Sequence, residues 1–143
     1  NKAVPEITTQ VIILSIILAI VLAAANAYLA LRVGILTSAS IPAAILSIGI
    51  FRILGGATIL QHNLVQTAAS AGEAVAGGVV FTVPALVMLG YWHEFAYWQN
   101  VFLALLGSTL GILFSIPIRR ALVTDPTLPF PEGRAVTQVL KLN

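Results

Sequence analysis

The stretch Gln61–Gly90, QHNLVQTAASAGEAVAGGVVFTVPALVMLG, decides how this chain is read. It is apolar enough to lie in a bilayer, yet Asn63, Gln66, Thr67, Ser70 and Glu73 stand in its first half. On an α-helix, at about 100° per residue, these five fall within roughly 120° of one another. Leu64, Val65, Ala68, Ala71 and Val75 take the other side and suit lipid or a packed neighbour. A polar stripe at membrane depth is costly in hydrocarbon. Such residues face a bundle interior or a water-filled cavity, and they often mark a substrate or ion path.

Composition supports a lipid solvent. Hydrophobic residues make up 59% of the 143 residues and charged residues 8%, against about 25% charged in a typical soluble protein. A soluble fold could not cover its surface with so few charges, so the fold class expected is all-α, a polytopic membrane bundle. The net charge of +2 is too small to point to nucleic acid. With no cysteine in the sequence, thiol redox chemistry, disulfides and thiolate metal sites are excluded.

Outward from the central stretch, about four spans are expected, with the start of a fifth helix. Residues 11–31 carry no charge and would reach about 31 Å as a helix, close to a hydrocarbon core of about 30 Å. Thr8 or Thr9 suits its cap, Asn26 a hydrogen bond across a helix interface, and Tyr28 the headgroup level. Residues 34–53 form a second span, threaded with Thr37, Ser38, Ser40 and Ser47 and expected to kink at Pro42. The central span, 61–90, would reach about 45 Å, which predicts a kink or break near Gly77-Gly78 or Pro84. Its small residues allow close backbone approach.

Residues 91–98, YWHEFAYW, read as an interfacial aromatic belt. His93-Glu94 within it is a solvated pair or, alternatively, a metal or proton site. A fourth span, 101–117, carries Gly107 and Gly111 as a GxxxG packing face. Pro126, Pro129 and Pro131 predict a non-helical cytoplasmic segment over 118–134, before a helix begins at 135–143. The chain starts at Asn1 and stops inside that helix, which reads as a piece of a longer protein.

Orientation follows from the basic residues. With four spans, Lys2, Arg52, Arg119, Arg120, Arg134 and Lys141 share one side, and Arg32 stands alone on the other. The positive-inside rule then puts the N-terminus in the cytoplasm of an inner or plasma membrane and the aromatic belt outside.

The chemistry expected is transport and not catalysis. His62 and His93 sit at opposite ends of a span, so no Ser-His-Asp arrangement forms. Neither a phosphate-binding loop with its lysine nor an HExxH helix is present, and no cofactor or bound metal is expected. Asn63, Gln66, Thr67 and Ser70 offer donors and acceptors for a substrate. Glu73, the one acid in these apolar spans, is read as the proton-coupling group. Its alternative is structural: a carboxylate held by an arginine or by hydrogen bonds in a tight bundle. His62, at the entrance of the same helix, suits capping or the interface.

Two blocks of sequence resemble the oligopeptide transporter family, which includes the plant yellow-stripe-like metal–chelate carriers. The first holds Asn63, Gln66-Thr67, Ser70-Ala71-Gly72, Gly78, Phe81-Thr82 and Pro84-Ala85-Leu86. The second is FSIPIRR at 114–120, then LPFPEG at 128–133 and AVTQVL at 135–140. The resemblance implies secondary active transport, by proton symport, of small peptides or peptide-like metal chelates. It also implies a much longer protein, of which this would be the N-terminal portion, completed by the remainder of the transporter or by further copies. Two other classes stay open: a pore-lining channel subunit, and a structural bundle without transport activity.

Overall fold

The computed structural model describes residues 6–124 and 127–141. Lys2, Pro126, Leu142 and Asn143, which enter the sequence reading, lie outside the described residues. Regular structure among the described residues is entirely helical: α1 (Thr9–Val33), α2 (Ser40–Leu54), α3 (Ile59–Met88), α4 (Tyr97–Val123) and α5 (Pro131–Lys141). The helices α1, α3 and α4 are long and apolar enough to cross a membrane, whereas α2 has 15 residues. The chain divides into two compact units, Asn1–Gly77 with Glu132–Asn143, and Gly78–Pro131.

In the first unit, α1 starts where Thr8 Oγ1 accepts the N–H of Val11 at 3.3 Å, a side-chain cap. It ends at Gly34, whose φ of 76° lets its N–H return to the carbonyl of Ala30. The next residues, 35–39, are not helical. The expected span 34–53 therefore starts six residues late, at Ser40. Pro42 is the reason. It is the third residue of α2, where a missing N–H leaves no ladder bond unmade, so it sets a helix start and does not kink a helix interior.

Of the kink or break expected in the central helix, a break is not found, because α3 runs as helix through Gly77-Gly78 and Pro84 to Met88. Two helical glycines cost about 1 kcal/mol each. Unwinding the chain without water would leave backbone groups unpaired at several kcal/mol apiece. Continuity wins. Thirty residues reach about 45 Å, and tilt or emergence into the headgroups takes up the excess.

The first unit's core joins Val11, Leu14 and Leu18 of α1, Ala43 and Phe51 of α2, and Val65 and Ala69 of α3. The small residues of α3 let its neighbours in close. A Cβ placed on Gly72 would lie 3.1 Å from Ala19 Cβ and 3.3 Å from the Ala19 carbonyl oxygen. One on Gly77 would lie 2.8 Å from Leu36 Cδ1. Gly72 thus sets the α1–α3 approach, and Gly77 makes room for the link before α2.

Helix α5 starts at Pro131, not at residue 135, because proline at the first helical position gives up only an orphan N–H. Val136 and Leu140 bury themselves against Ala44, with Ile48 and Val139 packed alongside. In the second unit, α4 begins inside the aromatic belt at Tyr97 and passes Pro117 to Val123, longer at both ends than 101–117. Tyr97 and Trp98 meet edge to face at 5.5 Å. Nothing lies within 4 Å of a Cβ placed on Gly107 or Gly111, so the GxxxG face is open among the described residues.

Candidate functional site

The polar residues of α3 meet the chain at the point where α2 begins. The link 35–39 doubles back beside α1, fixed by a reciprocal pair. Asn26 Nδ2 donates to the Thr37 carbonyl at 3.0 Å, and Thr37 Oγ1 donates to Asn26 Oδ1 at 3.0 Å. Asn26 lies seven residues before the end of α1, about 10 Å back along its axis. The link therefore runs back beside the body of α1 before α2 starts. Asn26 bridges to another segment as its residue type suggested, although the partner is the link and not a helix.

Glu73 reaches that start directly. Its Oε2 accepts the backbone N–H of Ala39, the residue that precedes α2, at 2.7 Å. The N–H of Ser40 turns to Ser38 Oγ at 3.4 Å, and Pro42 has none. A carboxylate at a helix N-terminus satisfies an orphan donor and opposes the positive end of the helix dipole.

Beside Glu73 runs a chain of hydroxyls. Gln66 Nε2 donates to Ser70 Oγ at 3.2 Å, Ser70 and Ser40 Oγ lie 2.9 Å apart, and Ser40 and Ser38 Oγ 3.2 Å apart. Ser38 Oγ donates to Glu132 Oε1. Each hydroxyl has one proton to give. Ser40 also hydrogen-bonds Glu132, so the carboxylate gathers both serines, and the network joins Gln66, Ser70, Ser40, Ser38 and Glu132.

The five stripe residues thus divide. Gln66, Ser70 and Glu73 turn toward the start of α2, Gln66 being buried. Asn63 and Thr67 are exposed, and the Thr67 hydroxyl donates to the Asn63 carbonyl at 2.8 Å within the helix. Farther along, the buried His62 is packed inside the unit and not at an interface. Its Nδ1 lies 2.9 Å from Ser47 Oγ, and its ring meets Phe51 edge to face at 5.4 Å. Ser40 with Ser70 and Ser47 with His62 run in opposite sequence order, so α2 and α3 are antiparallel.

Sequence reasoning did not assign Ser38, Ser40 or Glu132 to the site. A signal was present: two serines just before a proline, where a helix can start. His93 and Glu94 are exposed, and no group of three or more His, Cys, Asp or Glu suited to a metal occurs among the described residues.

The family described as OPT oligopeptide transporter protein matches residues 6–142. The chain belongs to the oligopeptide transporter family. A Haemophilus influenzae protein named "Putative oligopeptide transporter" is 44% identical to it over 114 residues. The match takes in 80% of this chain but 18% of that relative, so the chain spans under a fifth of the relative's length. No solved structure gives a significant match. Family and apolar helices together make this member of the family an integral membrane protein. Both blocks of family-like sequence meet at the site, one through Ser70 and the other through Glu132.

Proposed function

We propose that this chain helps form the substrate path of a proton-coupled carrier, a symporter and not an enzyme, for small peptides or peptide-like metal chelates. The observation that carries the proposal is the carboxylate of Glu73 on the N–H of Ala39, partway through an apolar helix layer. An ionised Glu73 holds the start of α2. A proton on Glu73 removes the charge that opposes the helix dipole, weakens the hold, and lets the link 35–39 shift. Proton occupancy and the shape of the path are thereby coupled. Discontinuous helices with their ends at mid-membrane are a recurrent way to build transporter sites.

Gln66 and Ser70, with Asn63 and Thr67 on the same side of α3, supply donors and acceptors for peptide amides or a carboxylate. The test is uptake by the full-length protein of di- to hexapeptides and ferric chelates. Saturable uptake that collapses with the proton gradient fits the carrier. Conductance without substrate dependence would favour a channel, and neither activity would favour a structural bundle.

A further inference from the structure

Helix α5 packs beside α2 in the first unit, and its level along α3 bears on the path. Ser70 and Glu73 are the twelfth and fifteenth of the 30 residues of α3, roughly 16 and 21 Å from its first residue. Ser40 and Ala39 sit against them, and Ser38 holds Glu132. The first turn of α5 therefore lies level with the middle of a membrane-crossing helix. Glu132 reaches Ser38, and the later Val136, Val139 and Leu140 pack with the later Ala44 and Ile48, so α5 runs in the same direction as α2.

The outward side of α5 is polar. Gly133, Arg134, Thr137, Gln138 and Lys141 are exposed, while Val136 and Leu140 are buried. Arg134 has no hydrogen bond or ion pair among the described residues. An arginine and a glutamine on an outward face at membrane depth do not meet lipid, because ionisable groups there face water or protein.

We propose that α5 is a re-entrant half-helix whose outward face lines a water-filled vestibule, open on the side toward which α2 and α5 descend. Its tip, Pro131–Gly133, lies at mid-membrane, latched by Glu132 to Ser38. The inference rests on α3 crossing the bilayer and on no particular substrate, so its test does not require transport.

The test uses single cysteines in the full-length protein in sealed vesicles, with any cysteines outside these 143 residues replaced. Thr137→Cys, Gln138→Cys and Lys141→Cys should react with a small charged thiosulfonate added on one side. Gly133→Cys should resist a bulky polymer-linked maleimide from either side. Rapid labelling of Gly133→Cys by the bulky reagent would overturn the proposal by placing the tip in bulk solvent. No labelling of Thr137→Cys and Gln138→Cys by the small reagent would overturn the vestibule. A Ser38→Cys/Glu132→Cys pair, monodisperse in detergent, should be joined by a short bifunctional thiol reagent. Failure to join would overturn the latch.

Discussion

Glu73 Oε2 lies 2.7 Å from the backbone nitrogen of Ala39, tying the one acid of α3 to the start of α2. The two residues are 34 positions apart, and neither is informative alone. Ala39 offers no side-chain cap, so the helix start depends on a carboxylate from another element. A capping group that can lose its charge makes a helix start conditional. This is why a structural role and a coupling role need not exclude one another here.

The Asn26–Thr37 pair should behave as the pin of the fold-back. Hydrogen bonds between membrane segments contribute about 0.6 kcal/mol on average and up to about 2 kcal/mol. Asn26→Ala and Thr37→Val should each lower thermal stability in detergent by about 1 kcal/mol. The double variant should cost less than the sum, because both changes remove the same pair. Strict additivity would show that the pair is not formed.

Gly72 and Gly78 give a paired test of helix packing. A leucine at Gly72 would drive into Ala19 Cβ and the Ala19 carbonyl, whereas nothing lies within 4 Å of a Cβ at Gly78. Gly72→Leu should abolish folded, monodisperse protein, as overpacking against backbone costs about 1–3 kcal/mol or more. Gly78→Ala should be neutral or stabilising by up to about 1 kcal/mol. Equal tolerance at both positions would argue against the close α1–α3 approach.

The helix count and the polar stripe were legible in the sequence because composition and periodicity carry them. Apolar runs of membrane length gave α1, α3 and α4, and the spacing of Gln66, Ser70 and Glu73 put them on one side. What the stripe meets was not legible. The fold-back of 35–39 depends on long-range partners, Asn26 and Glu73, that no local pattern reveals. Prolines misled in two ways. Pro42 and Pro131 occupy helix starts, where they are at ease, while Pro84 and Pro117 lie inside helices that continue past them. In lipid an unwound backbone costs more than one lost hydrogen bond, so proline signals weaken there.

Orientation can be checked by labelling. A single cysteine replacing Glu94 should react with an impermeant maleimide added to intact cells, and one replacing Thr124 should react only after the membrane is opened. The expectation rests on the crowding of Arg52, Arg119, Arg120 and Lys141 on one side. The reverse pattern would turn the whole unit over and put the aromatic belt inside the cell.

The most direct measurement is gradient-driven accumulation against gradient-free exchange in a Glu73→Gln transporter reconstituted in vesicles. A glutamine oxygen can still accept the Ala39 N–H, so the protein should fold and substrate exchange should persist. Without a titratable group at the start of α2, accumulation driven by a pH gradient should fall to background. Glu73→Ala removes the hold as well and should lower thermal stability by about 1–3 kcal/mol. Wild-type accumulation by a well-folded Glu73→Gln protein would contradict the account and leave Glu73 a structural cap.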